Sequence, residues 1–271
     1  MIAESVLVFL FGLAIGSFLN VCIYRLPRNM SIVRPRSRCP HCDSPVRPWQ
    51  NIPILSYFIL RGRCASCGAS ISWFYPVVEI LTAFLLLLAY LEFGLTAPFV
   101  VNGILFCLLI ILVFIDLFER ILPNVITLGG AVVGFLLSPL QSTELLRPLP
   151  SGLAEAPVAG ALLASLVGAL LGGGFLWLVA ALYFRIRKIE GMGFGDIKMM
   201  LMVGAFLGWQ FTWLTIFLGS LLGALLGSLY IAVFGRGRMY ELPFGTFLGI
   251  AAIIVVFYGP EFIDWYFTVV I

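Results

Sequence analysis

Two aspartates, Asp116 and Asp196, stand out as candidates for chemistry because each is set against a long apolar run. Asp116 ends the stretch ILFCLLIILVFI, and Asp196 follows the glycine-rich GMGFG before another apolar stretch. Carboxylates are expensive at such positions, which makes both functional candidates. Two carboxylates a few ångströms apart in a low dielectric cannot both ionise easily, so one holds a proton while the other stays charged. Such a pair can activate water and protonate a peptide carbonyl. Taken singly, either aspartate is also explained as an interfacial residue or a helix cap. Gly191, Gly193 and Gly195 shift the balance for Asp196, since bare backbone lets an extended peptide approach a carboxylate. Lys198, two residues beyond Asp196, is an available counter-ion.

A second chemistry is carried by cysteines. Cys39-Pro-His-Cys42 and Cys64-Ala-Ser-Cys67 are two C-x-x-C pairs with 21 residues between them, close to the spacing of a zinc ribbon. Each pair suits a tight knuckle that points two thiolates at one tetrahedral metal, and Gly68 eases the second turn. Four thiolates complete a closed site, so a zinc there staples the loop and does not catalyse, and His41 is a bystander. Two disulfides or unligated thiols are the alternatives. Cys22 and Cys107 fall in apolar runs and suit core packing.

The elements that must position these residues are membrane helices. The chain has 271 residues, 62% hydrophobic and 11% charged, against a globular norm of roughly 45–50% and about 25%. Most of it is solvated by lipid, and a net charge of +3, with few cations that are unevenly placed, does not suggest nucleic-acid binding. Apolar runs of about 20 residues predict an all-α polytopic protein with about eight crossings, near 4–24, 76–93, 97–115, 121–140, 156–184, 199–209, 212–234 and 244–267. The run 199–209 is short for a bilayer, and a hairpin turning near Gln210 is expected. The first segment lacks the cationic flank and cleavage site of a secretory signal and is expected to be retained.

The charges orient these spans. Arg25, Arg28, Arg34, Arg36, Arg38, Arg47, Arg61 and Arg63 lie between the first two spans, which puts that loop, with the cysteines, in the cytoplasm. Alternate threading then leaves only Arg147, of 16 cations, outside. Asp116 and Asp196 fall at cytoplasmic helix ends and are expected at one depth. The outer loop near 141–155 is a proline- and polar-rich linker, and the glycine runs near 170–174 and 222–227 predict close helix packing.

These residues resemble the type IV prepilin leader peptidases, membrane aspartic proteases of the GxGD type. The likeness comprises GSFLNVCIYRLP at 16–27, the cysteine knuckles with NIPILSYFILRGRC between them, YPVVE at 75–79, DLFERILPN at 116–124, GMGFGDIK at 191–198 and LPFGTFLG at 242–249. It implies that Asp116 and Asp196 are catalytic in a six-helix peptidase core over 96–271. It implies that 1–95, with the cysteine-bearing loop at 24–75, is associated with methyl transfer. The substrates implied are prepilins or pilin-like proteins with a short basic leader, cut after glycine at the cytoplasmic face of a bacterial inner membrane. The new amino terminus would then be N-methylated from S-adenosylmethionine, at a site the residues do not disclose. Glu79, about a turn inside a helix end, is a candidate to hold a cationic amine, or an interfacial carboxylate beside the arginines. Thr246 stands where the family pattern P-F-G-P has its second proline, which bears on a detail of the last helix and not on the aspartates. The rival classes are a transporter, whose carboxylates would be spread through the bilayer depth, and a zinc-ribbon scaffold, which leaves the aspartates unexplained.

Overall fold

A computed structural model describes residues 2–142, 157–189, 191–234 and 243–270. The outer loop with Arg147 lies mostly outside them, as do Arg236 and Arg238. The chain divides into two compact units, Met1–Leu95 and Thr96–Ile271.

The first unit is a helical pair with a loop between its members. Helices α1 (Ile2–Arg25) and α3 (Phe74–Phe93) flank a short helix α2 (Leu55–Ile59). In lipid there is no hydrophobic drive to bring apolar helices together, so close backbone approach has to do it. Gly12 and Gly16 supply that approach: a Cβ on Gly12 would lie 2.5 Å from Ala83 Cα, and one on Gly16 2.6 Å from Glu79 Cα. The antiparallel register runs from Tyr90, whose hydroxyl donates to Glu4 Oε2 at 2.6 Å, to Asn20, whose Nδ2 donates to the Tyr75 carbonyl at 3.0 Å. Buried Arg25 then ties the loop to the end of α1, donating to the carbonyls of Ser31 at 2.7 Å and Pro35 at 2.9 Å.

The second unit comprises α4 (Ala97–Glu119), α5 (Asn124–Leu137), α6 (Pro157–Arg187), α7 (Phe194–Phe234) and α8 (Phe244–Val270). Helix α4 is its buried element, with Leu105, Phe106, Leu109, Leu112 and Ile115 fully enclosed. Among the described residues six helices are long and apolar enough to cross a membrane, and the apolar segment Asn124–Leu140 is shorter.

The eight expected crossings appear as seven long or medium helices because the sixth and seventh belong to α7. Gly208 breaks that helix with φ 71° and ψ −178°, a conformation open to glycine. A Cβ on Gly172 would lie 2.7 Å from both Met200 O and Thr212 Cγ2. Twelve residues of straight helix would hold those two positions about 18 Å apart, so the chain reverses at Gly208, two residues before the expected turn. The first arm and α5 are each too short to span a bilayer alone. They pack on one another and end at a buried polar clamp, in which Asn102 and Gln141 exchange amide hydrogen bonds at 3.0 Å and Gln141 Nε2 reaches the Phe206 carbonyl at 3.4 Å.

The α6–α7 interface depends on backbone contact, because Cβ atoms on Gly168 and Gly204 would each collide with the other's carbonyl oxygen. Gly204→Ala should lower the stability of the detergent-solubilised protein by about 1–3 kcal/mol. Gly174→Ala, on the same α6 but with nothing within 4 Å of the added carbon, should be neutral or slightly stabilising. Thermal unfolding of both variants checks the contrast.

Candidate functional site

Three helix ends converge to build the aspartate site. Asp116 lies in the last turn of α4, which Arg120 closes in a left-handed conformation with its N–H bonded to the Asp116 carbonyl at 3.0 Å. Asp196 lies in the first turn of α7, its N–H donated to the Gly193 carbonyl at 3.2 Å. The third end is the start of α8, at Phe244, Gly245 and Thr246. Both aspartates are buried, at 5% and 8% exposure.

Gly245 is where the carboxylates meet. A Cβ built on it would lie 3.1 Å from Asp116 Oδ2 and 3.1 Å from Asp196 Oδ1, so those oxygens are separated by at most twice that distance. The two carboxylates therefore share one level, unlike a series spread along a transport path. Sequence reasoning did not single out Gly245; its only signal was a bare glycine in the PFG of the last motif.

Thr246 corrects an expectation. Its departure from the proline pattern bears directly on the aspartates, because its N–H donates to Asp116 Oδ2 at 2.7 Å and its hydroxyl reaches the same oxygen at 3.0 Å. A proline has no N–H to give. The hydroxyl also lies 3.3 Å from the Val113 carbonyl, which ties α8 to α4 one turn before Asp116. With Oδ2 accepting both donors, Oδ1 is the Asp116 oxygen free to take or release a proton.

The glycines before Asp196 play different parts. A Cβ on Gly193 would meet Asp196 Oδ2 at 3.6 Å and the Gly195 nitrogen at 3.9 Å, both ordinary contacts, which leaves that side open to an approaching backbone. Gly195 is closely packed, since its Cβ would lie 2.9 Å from Leu122 Cβ. Lys198 donates to Asn124 Oδ1 at 2.8 Å, and among the described residues it makes no ion pair with either aspartate. Glu79 is in the first unit, where its Oε2 accepts the Ile54 N–H at 2.7 Å.

The cysteine loop gathers Cys39, Cys42, Cys64 and Cys67, whose sulfurs all lie within 4.8 Å of one another. Sulfurs about 2.3 Å from a tetrahedral zinc would be about 3.8 Å apart, and the pairs Cys39–Cys67 and Cys42–Cys64 stand at 3.9 and 4.0 Å. Both distances are far too long for disulfides. The knuckles are built alike. In each, the residue four after the first cysteine is left-handed and donates its N–H back to that cysteine's carbonyl, Asp43 to Cys39 and Gly68 to Cys64, both at 2.9 Å. The Cys67 and Ser66 backbone N–H groups directed at the Cys64 sulfur bring its thiol down to about 6, while hydrogen bonds shared with the other three cysteines push Cys67 up to about 11, so without a metal the four sulfurs do not all ionise at neutral pH. The Ser44 hydroxyl lowers Cys42 in the same sense as Cys64. His41 is exposed and outside the cluster.

The first unit also holds a cavity of about 550 Å³ between the cysteine loop and the adjoining ends of α1 and α3, with Asn20, Tyr24, Tyr57, Tyr75 and Glu79 in its wall.

Residues 10–93 match the bacterial peptidase A24 N-terminal domain, and residues 103–228 match the type IV leader peptidase family. A Legionella pneumophila protein named prepilin leader peptidase/N-methyltransferase is 36% identical, over 95% of this chain and 92% of its own length. Proteins of the same name from Aeromonas hydrophila and Pseudomonas aeruginosa are 35% and 34% identical, covering 97% and 93% of this chain and 93% and 89% of their own lengths. No solved structure matches the chain.

Gly245→Ala would drive a methyl group between the two carboxylates and against Leu122 Cδ1, 3.0 Å away. Displacements of this kind cost about a hundredfold in rate. The variant should cleave substrate peptide with kcat reduced by about that factor and KM little changed. Its thermal stability should hold, because alanine suits a helix better than glycine.

Proposed function

This chain belongs to the type IV leader peptidase family, and we propose that it removes the basic leader from prepilins or pilin-like proteins with Asp116 and Asp196 as its acid–base pair and then N-methylates the new amino terminus. The observation that carries the peptidase assignment is the meeting of the two carboxylates at Gly245. The named activities of the relatives, which align over nearly all of this chain, support the pairing of cleavage with methylation.

In this mechanism the substrate backbone lies along the open side of Gly193. One carboxylate takes a proton from a water held between the pair as the water oxygen bonds to the scissile carbonyl carbon. The other carboxyl gives its proton to the carbonyl oxygen. Collapse of the tetrahedral adduct breaks the carbon–nitrogen bond, the proton taken from water passes to the leaving amine, and the proton lent to the carbonyl oxygen returns to its carboxylate as the carbonyl re-forms. Thr246 fixes the Asp116 carboxylate, so the pair needs little reorganisation during the reaction.

The methyl donor in this proposal is S-adenosylmethionine. When bound it would supply an electrophilic methyl group to the new amine, with a neutral thioether as the leaving group. We assign methyl transfer to residues 1–95 and cleavage to 96–271. Cys39, Cys42, Cys64 and Cys67 would hold a structural zinc that stiffens the loop, a role supported by their convergence. In this proposal the loop lies in the cytoplasm and the dyad at the cytoplasmic face of a bacterial inner membrane, a reading supported through the positive-inside rule by the arginines of the loop and by Arg120 and Lys198 near the aspartates.

Asp116→Asn and Asp196→Asn should each reduce prepilin cleavage by about a thousandfold or more, because asparagine keeps the volume but cannot exchange the proton. Both should fold, since a neutral amide is cheaper to bury than a carboxylate. Mass analysis of the product amino terminus measures cleavage, and a variant cleaving near the wild-type rate would refute the aspartic mechanism.

A further inference from the structure

A buried carboxylate normally has a cation, and Glu79 has none. It is 7% exposed, and among the described residues it forms no ion pair. Its protein donors are both neutral, the Ile54 N–H and the Ser17 hydroxyl. The buried cation of the same cavity wall, Arg25, is committed elsewhere, to the Ser31 and Pro35 carbonyls. A carboxylate enclosed in this way is costly unless a positive charge arrives from outside.

The contact that holds Glu79 in place is itself strained. Ile54 has φ 61° and ψ −54°, the rarer hand of γ-turn, with the Leu55 N–H donated to the Pro53 carbonyl at 2.5 Å. For a β-branched residue this conformation is unfavourable and persists only when its surroundings impose it. Here the Glu79 hydrogen bond does so, and it fixes the carboxylate in the cavity wall.

The cavity has the size and lining of a small-molecule site. Its volume of about 550 Å³ lies within the 300–1,000 Å³ or so usual for such sites. Three tyrosines, Tyr24, Tyr57 and Tyr75, line it together with Asn20. The Asn20 amide nitrogen is already given to the Tyr75 carbonyl, which leaves its amide oxygen as an acceptor. Aromatic faces, one acceptor and one enclosed negative charge match a ligand with a planar base, a polar donor and a compact cation.

We infer that this cavity is the methyl-donor site and that Glu79 faces the positive sulfonium of S-adenosylmethionine. The inference rests on the methyltransferase half of the proposed function. It also gives the site a reason to release its product, because methyl transfer turns the sulfonium into a neutral thioether and removes the charge that Glu79 holds.

The test is binding of S-adenosylmethionine and of S-adenosylhomocysteine to the purified full-length protein by equilibrium dialysis. The wild type should bind the sulfonium at least tenfold tighter than the thioether. Glu79→Gln should lose that preference, with the thioether affinity changed less than twofold and the zinc content unchanged. If Glu79→Gln sheds zinc through loss of the Ile54 contact, Ser17→Leu replaces it: this change takes the Ser17 hydroxyl from Glu79 but leaves the Ile54 contact, fills the cavity from α1, and should weaken both ligands at least tenfold. A wild type that methylates mature pilin while Glu79→Gln, or the zinc-bearing Ser17→Leu, binds both ligands as before overturns the placement alone. A wild type that binds neither ligand and transfers no methyl group overturns the donor assignment with it.

Discussion

The second unit is organised around one constraint: two carboxylates must be held together at helix ends where lipid cannot solvate them. Asp116 ends α4, Asp196 begins α7, and the first turn of α8 closes on both. A side chain at position 245 would occupy the space the carboxylates share, and a proline at 246 would remove an N–H from Asp116. The reversal at Gly208 and the small-residue contacts of α6 against α7 follow from the same need, because they hold the short arm bearing Asp196 firmly in the bundle. At the other end of α4 the Asn102–Gln141 clamp satisfies the polar groups where that arm turns back.

The first unit solves a different problem with similar means. Gly12 and Gly16 bring α1 against α3 closely enough for Asn20 to reach the Tyr75 carbonyl, and Arg25 ties the loop to the helix end. The four cysteines converge on the far side of that loop. What lies between the two fastenings is a cavity with a single enclosed carboxylate. In the proposed function, hydrolysis and methyl transfer would have separate machinery: a proton-sharing pair in one unit, and a cation-accepting pocket in the other.

Much of this was legible from the residues. Apolar runs located the helices because lipid demands them, and C-x-x-C spacing located the cysteine cluster because tetrahedral ligation would demand converging knuckles. The aspartates were conspicuous as charges at the ends of apolar runs. What escaped was set by contacts between distant parts of the chain. Thr246 and Asp116 are 130 positions apart, and nothing local marks the threonine as a hydrogen-bond donor to an aspartate. Gly193 and Gly195 look alike in sequence, yet one is open and the other is packed on Leu122. Lys198 could be read only as a nearby charge, and its hydrogen bond to Asn124 depends on how α5 meets α7. The turn in α7 was expected near Gln210, where polarity rises, but the backbone reverses at the glycine two residues earlier, where the left-handed conformation costs least.

The central claim is that Asp116 and Asp196 work as one unit. The most direct measurement is a double-mutant cycle on cleavage, with single-turnover rates taken at high enzyme concentration so that slow variants remain measurable. Groups that share one proton fail together, so the Asp116→Asn/Asp196→Asn double variant should cleave within about threefold of the slower single variant. If the two losses multiply instead, the carboxylates act independently and the shared-proton account is wrong.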